Sequence, residues 1–455
     1  MAREQISPEM RRLSTYVSGA LKRKLPQKVV DRAKLHLLDT FAAIISGSRQ
    51  LPGQRAIAFV KPLGGTPEAG VMGTRIVTTT INAALANGMF CHADETDDTH
   101  PPTRTHPGAS VTPAALAIAE KRQLSGETLL RAVVLGYDIC ARTMMSLKPN
   151  LLVPTGRHAA ATGQLFGAAA ATGALLELTP QQVRYMLSYT LQQASGLTTM
   201  FRDPHHIEKA FAMAGIPAQH AVQAGLAASL GFTGVDDILS GEPNMFSILS
   251  PGAEREAISA DLGKRYEILR GGIKRWTAGG PCQGPLHVLN EIIQMHGIKA
   301  KDVKKLVARM PMTEIWVVND RAMPDISLQH LLAVMLVDGT LTFASSHDYG
   351  RMKDPRVVNA RKFIHAVADE TMPTAVRGWR CIMDVTLNDG RKISHQTMAA
   401  TGSPDNPAAK PDVEAKALDL LAPVLGKKRA VELMTAIDNI QSIKNVRTLR
   451  RLYTA

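Results

Sequence analysis

Up to residue 270, apolar positions recur three and four apart, the spacing that lays one buried stripe along an α-helix. Leu37, Leu38, Phe41, Ile44 and Ile45 form such a stripe within residues 29–45, ahead of Gly47. Ser7-Pro8-Glu9 places an N-cap before a proline at the first helical position, so an earlier helix begins there. Ile81, Ala84, Leu85, Gly88 and Met89 repeat in the same way. Thr112-Pro113 opens a helix through Ala119, Ser125-Gly126-Glu127 precedes an apolar run to Met145, and Thr179-Pro180 precedes Val183, Leu187 and Leu191. Phe166 to Gly173 supplies a run of small residues after the Phe, which lets helix backbones approach closely.

Beyond residue 270 the period changes. Residues 303–310 and Trp316-Val317-Val318 lean towards strand. Residues 382–387, then Asn388-Asp389-Gly390, then 391–397 predict a hairpin. Residues 285–295 and 355–367 read as helices between the strands. Thr401-Gly402-Ser403-Pro404 begins a turn-rich link, after which 413–421 and 430–440 return to helical spacing. The expected fold is mainly α with a smaller α+β domain: a large all-helical domain from residues 1–269 and 405–455, and an inserted α/β lid domain over 270–404. No solenoid repeat interrupts this division.

With 455 residues the chain exceeds the usual limit of a single core, and 45% apolar with 4% aromatic residues suits packed helices. Cys91, Cys140, Cys282 and Cys381 are widely separated, so no zinc-ribbon or iron–sulfur spacing exists and reduced thiols in a cytoplasm are expected. Met1-Ala2-Arg3-Glu4-Gln5 lacks an apolar signal core, and the Ala-rich run over 159–176 is broken by Thr, Gln and Gly, so neither export nor a membrane span is expected. The net charge of +13 comes from scattered groups such as Lys22-Arg23-Lys24 and Lys427-Lys428-Arg429. That pattern supports no specific nucleic-acid partner; a general polyanion-binding protein and attraction of a polycarboxylate substrate account for it equally.

The densest chemistry lies between Cys91 and His106: Asp94, Glu95, Asp97 and Asp98 with His92, His100 and His106. Carried to the end of a buried helix, crowded carboxylates gain raised pKa values and can exchange protons near neutrality, whereas a solvated acidic loop is the competing reading. His106 and His158 each stand just before a helix, where the dipole favours anions and lowers an imidazole pKa. Arg202 to Lys209 is a second polar group, whose cations are candidates for substrate carboxylates. HExxH, Gly-x-Ser-x-Gly, Walker and Rossmann patterns are all missing, so no metal, serine nucleophile or nucleotide is expected.

Six segments carry a resemblance across nearly the whole chain. They are Asn87-Gly88 through Asp98, His106-Pro107-Gly108 with Pro113-Ala114-Ala115-Leu116, Phe166-Gly167-Ala168-Ala169-Ala170, Gly231-Phe232-Thr233-Gly234, Lys274-Arg275-Trp276, and Ser327-Leu328-Gln329-His330 with Asp338-Gly339. Together they resemble the MmgE/PrpD family, which includes 2-methylcitrate dehydratase, cis-aconitate decarboxylase and iminodisuccinate epimerase. The resemblance implies a homodimer with a cofactor-free, metal-free site between its two domains, acting on small di- or tricarboxylates. By motif, Asp94, Glu95, His106, His158 and Lys209 correspond to the catalytic set. Asp98, Thr99, Arg202, Lys274, Arg275, Ser327 and His330 correspond to substrate contacts.

Departures from the family pattern bear on the reaction. No imidazole follows Lys274-Arg275-Trp276 in Thr277-Ala278-Gly279-Gly280-Pro281, where the decarboxylases place one. His205-His206-Ile207-Glu208-Lys209 replaces Lys-x-x-His-x-Gly, and His330 stands where the decarboxylases carry Tyr. The expectation is a hydro-lyase, a dehydratase of a hydroxy-polycarboxylate such as 2-methylcitrate, with epimerase, isomerase and decarboxylase as the alternatives.

Overall fold

Helix starts are fixed locally. Ser7 accepts from the Met10 N–H to open Pro8–Gly19, Thr79 from Asn82 to open Thr80–Cys91, and Ser125 from Thr128 to open Gly126–Leu147. Thr179 and Gln182 close a reciprocal capping box ahead of Pro180–Gln192. The computed structural model describes residues 6–372 and 379–455; the Met1–Gln5 segment read for an export signal lies outside them. Among the described residues no helix is long and apolar enough to cross a membrane.

The chain forms two compact units. Unit 1 runs to Ala93, resumes over Asp97–Gly271 and closes with Leu420–Ala455; unit 2 comprises Asp94–Thr96 and Gly272–Asp419. In unit 1, Gln27–Gly47, Pro107–Lys121, Ala159–Leu175 and Ile216–Ser229 pack with the helices above. A Cβ on Gly167 would lie 2.4 Å from the Gly136 carbonyl oxygen, so two of these helices touch backbone to backbone and the small-residue stretch is spent on packing. The C-terminal segment is tied back through Glu120, which accepts from Arg450 Nε at 2.8 Å, from Gly70 N at 2.8 Å and from the Tyr453 hydroxyl.

Unit 2 is built on a four-stranded sheet. Unit 1 itself holds a short antiparallel pair, β1 (Ala69–Gly70) and β2 (Val77–Thr78), so it is not wholly helical. In unit 2, β3 (Val303–Pro311), β4 (Ile364–Asp369), β5 (Cys381–Leu387) and β6 (Lys392–Thr397) run in the order β4-β3-β5-β6, with β3 parallel to β4 and the other neighbours antiparallel. Gly390, at φ 90°, turns the expected β5–β6 hairpin. Helices Gln283–His296 and Leu328–Asp338 bury Leu286, Leu289, Leu331, Leu332 and Met335 in one core with Leu306, Ala308, Met383 and Val385.

Three local expectations are corrected. Trp316-Val317-Val318 belongs to helix Met312–Val318: Pro311 ends β3 and leads directly into that helix, leaving Trp316 64% exposed. The helix expected over 355–367 stops at Arg361, and Ile364–Asp369 becomes β4, because pairing in register with Leu306–Pro311 satisfies its backbone. The helix expected to open at Thr112-Pro113 begins at Pro107, whose missing N–H costs nothing in the first turn, and carries Pro113 inside it. The chain re-enters unit 1 at Leu420, within helix Lys410–Leu425.

All four cysteines are buried, two in each unit. Burial pushes the Cys140 thiol up to about 12 and raises Cys282 and Cys381 in the same direction.

Candidate active site

Helix Thr80–Cys91 ends at His92, and the chain that follows turns inward: Asp94, Glu95, Asp97 and Asp98 are each less than a tenth exposed. This excludes a solvated acidic loop. In unit 1, one oxygen of Asp97 lies 2.9 Å from His92 Nδ1 and 3.2 Å from His106 Nδ1, with the two imidazoles 5.1 Å apart. Burial lowers the His92 pKa, although Asp97 opposes that shift. The His106 side chain, 17% exposed, is the accessible member of the trio. Its backbone N–H donates to Gln164, whose amide in turn donates to Ser110 Oγ and the Met213 carbonyl. Gln164 thereby fixes the entrance of helix Pro107–Lys121 against Ala159–Leu175 and against the π-helical turn Phe211–Gly215 that follows Lys209.

His158 sits at the head of Ala159–Leu175. Its Nδ1 accepts the Ala160 N–H at 3.2 Å, so a neutral ring carries its proton on Nε2. Burial, then the positive charge of Lys209, lowers its pKa to about 3. Phe201 packs between the two: its ring lies edge-on to His158 at 5.2 Å and 5.8 Å from Lys209 Nζ. Nitrogen-15 NMR of the imidazoles is expected to show His158 as the Nε2–H tautomer from pH 8 to pH 5, with protonation only near pH 3. A midpoint near 6.5 would contradict this geometry.

Asp98 turns the other way. Its Oδ1 accepts from the Gly108 N–H at 3.1 Å, and its Oδ2 from the Tyr137 hydroxyl at 2.6 Å and His36 Nδ1 at 2.7 Å. Burial lowers His36 to about 4, so it meets Asp98 as a neutral donor. Thr99 donates to the Thr105 carbonyl at 3.3 Å. Arg202 is exposed at the end of the turn Thr198–Arg202.

Unit 2 holds the other part of the loop. Lys274 Nζ donates to the Glu95 carbonyl at 2.6 Å, and Lys416 Nζ to the Thr96 carbonyl at 2.8 Å; both lysines are buried. Asp94 lies 3.0 Å from His347 Nε2, and Asp325 lies 3.7 Å from the same nitrogen. Arg275 stacks on Trp276 at 5.0 Å. Ser327 and His330 are fully buried, and burial lowers His330 to about 4.

For a metal, the ligand atoms of His92, Asp97 and His106 all fall within 4.8 Å of one another. Within this trio, His92 and Asp97 are already joined by a direct hydrogen bond, and His106 approaches the same carboxylate oxygen at 3.2 Å.

Residues 11–257 match the MmgE/PrpD N-terminal domain, and residues 276–441 match the MmgE/PrpD C-terminal domain. The chain belongs to the MmgE/PrpD family. Its relatives include a cis-aconitate decarboxylase of Aspergillus terreus, 24% identical with 76% of each chain covered. A second cis-aconitate decarboxylase from that organism is 23% identical over 94% of this chain and 92% of its own. The cis-aconitate decarboxylase-like protein oryM of Aspergillus oryzae is 22% identical over 97% of this chain and 96% of its own.

Within this MmgE/PrpD chain, unit 1 brings His106, His158 and Lys209 together with the Asp97 end of the loop. Its sequence does not distinguish His92 and Asp97 from the rest of that loop, and it gives no sign of Asp325, His347 or Lys416. Asp325 stands two residues ahead of Ser327 in a recognised segment, a proximity that could have drawn attention to it. His347 and Lys416 sit in ordinary polar surroundings and carry no comparable signal.

Proposed function

We propose that this protein is a cofactor-independent lyase that removes water from a small hydroxy di- or tricarboxylate such as 2-methylcitrate. One observation carries the reading: a closely packed His92–Asp97–His106 trio stands in the same unit as a neutral Nε2–H imidazole, His158, and a cation, Lys209. Elimination requires a base, a donor for the leaving oxygen, and charge that holds the carboxylates. The Asp97 carboxylate, 3.2 Å from His106 Nδ1, favours the Nδ1–H tautomer by charge and leaves Nε2 as the base. His106 removes the proton α to a carboxylate, the C–H electron pair becomes the new π bond, and hydroxide leaves from the adjacent carbon, taking a proton from the Lys209 ammonium. His158 cannot give up its only proton readily, so its role is to hydrogen-bond a substrate oxygen as negative charge develops. Asp98, committed to His36, Tyr137 and Gly108, is assigned to positioning.

Asp94 and Glu95 remain in the proposed catalytic set, and Thr99, Arg202, Lys274, Arg275, Ser327 and His330 among the proposed substrate contacts. A homodimer acting in the cytoplasm without metal or cofactor belongs to the same proposal.

Decarboxylation is the second reading, favoured by the names of the relatives. There the breaking C–C bond leaves its electron pair on the substrate as carbon dioxide departs, and a protonated His106 quenches the carbanion. Incubation of citrate, methylcitrate, cis-aconitate and malate-type acids in heavy water separates these outcomes. Dehydration predicts growth of alkene absorbance from a hydroxy acid with no gas release. Carbon dioxide from cis-aconitate would transfer the assignment to decarboxylation, and deuterium exchange without either product would transfer it to epimerisation.

A further inference from the structure

Three consecutive loop residues, Asp94, Glu95 and Thr96, are each met by a cationic side chain or imidazole from a different segment of unit 2. Lys274 and Lys416 donate to the carbonyls of Glu95 and Thr96, while His347 faces the Asp94 carboxylate. His347 is absent from every segment that carries the family resemblance, yet its surroundings are the most specific of the three.

His347 closes the short helix Phe343–His347. Its Nδ1 lies 3.0 Å from the Phe343 carbonyl oxygen, which can only accept, so Nδ1 carries a hydrogen. The Ser346 hydroxyl, 2.9 Å away, is itself placed by the Phe343 carbonyl and by Thr277. With Nδ1 protonated, a neutral ring would aim the lone pair of Nε2 at Asp94 Oδ2 from 3.0 Å. Two lone pairs would then face each other at that distance, and a protonated ring replaces their repulsion with an imidazolium–carboxylate ion pair. The other Asp94 oxygen accepts the Thr96 N–H at 2.8 Å, which leaves the carboxylate little freedom to turn.

We infer that His347 is a positioning residue that holds Asp94 in one orientation as a permanent carboxylate, so that Asp94 serves as a fixed charge and not as a proton carrier. This rests on the proposed membership of Asp94 in the catalytic set. The ionisable groups around the pair are Asp94 and Glu95 from the loop, Asp325 from the turn Pro324–Ile326, and Tyr349, Cys282 and Lys274. Burial works against the His347 cation, but Asp94 and Asp325 outweigh it and raise the ring to about 9. Burial likewise disfavours the Asp94 anion, and His347 outweighs it and lowers that carboxyl. Asp325, farther from the ring, is raised by burial to about 6 and so still adds negative charge beside the ring at pH 7.5.

The test joins a charge measurement to kinetics. In the full chain labelled with nitrogen-15 histidine, one imidazole is expected to remain doubly protonated at pH 7.5, to titrate near pH 9, and to vanish in His347→Gln. In Asp94→Asn the same ring is expected to be neutral at pH 7.5. Because the folded-state pKa is raised, the stability His347 supplies is full below about pH 6.5 and lost as pH rises through 9. Any melting-temperature gap between wild type and His347→Gln should therefore narrow from pH 6 to pH 10. With the best polycarboxylate substrate, His347→Gln is expected to lower kcat tenfold or more with KM changed less than threefold, and to move the acid limb of the kcat profile to higher pH. A ring that titrates near 6.5, or a His347→Gln variant with wild-type kcat and pH profile while Asp94→Asn is inactive, overturns the inference alone. Full activity in Asp94→Asn, with the raised ring pKa still present in wild type, overturns instead the catalytic reading of Asp94 and, with it, the positioning role.

Discussion

Replacing His106 with alanine is expected to lower kcat on the preferred polycarboxylate by roughly two to four orders of magnitude, the usual worth of a positioned general base. Three observations set this expectation. The ring is the accessible member of the trio, its Nδ1 lies 3.2 Å from a buried carboxylate that can take up the N–H, and its backbone is anchored by Gln164. Since the anchor is a backbone hydrogen bond, the alanine variant keeps the helix entrance and the circular dichroism of the wild type. Steady-state kinetics with matched melting curves make the check. Turnover within a few-fold of wild type in a folded His106→Ala protein would remove His106 from the base role.

The largest stability effect is expected at Asp98. Asp98→Ala leaves the Gly108 N–H, the Tyr137 hydroxyl and His36 Nδ1–H as buried donors without their acceptor. Stranding that many donors around a lost buried carboxylate costs about 3–5 kcal/mol, measurable as a shift of the urea midpoint at constant m-value. The cavity is also tight: a Cβ on Gly108 would come within 2.8 Å of Asp98 Oδ1, so this turn of helix has no room to rearrange. Activity should fall as well, because Gly108 lies two residues from His106. If Asp98→Ala unfolds at the wild-type urea concentration and only KM rises, the residue contacts substrate instead.

These two residues also mark how far the sequence could be read. Asp98 and His106 stood out because carboxylates and imidazoles crowd into one short segment, and the helices around them were legible because Ser7, Ser125 and Thr179 cap their own first turns. Such signals act within three or four residues. Strand β4 was misread because its identity comes from Leu306, 58 positions upstream of its partner Ile364. The same distance effect hid part of the site: Glu95 meets Asp325 across 230 positions and Thr96 meets Lys416 across 320. His158 was recognisable as a residue, but its tautomer depends on one backbone N–H and could emerge only from coordinates.

The four interior thiols carry a practical consequence. With Cys91 and Cys140 in one unit and Cys282 and Cys381 in the other, each sulfur is shielded from electrophiles by burial, and three are further held in the unreactive thiol form. Alkylation in native buffer is then governed by transient opening and not by intrinsic nucleophilicity. Mass-resolved labelling rates at those four positions amount to a built-in clock for local unfolding, one pair of hands for each unit, with no engineered reporter and no disturbance of the acid/base residues.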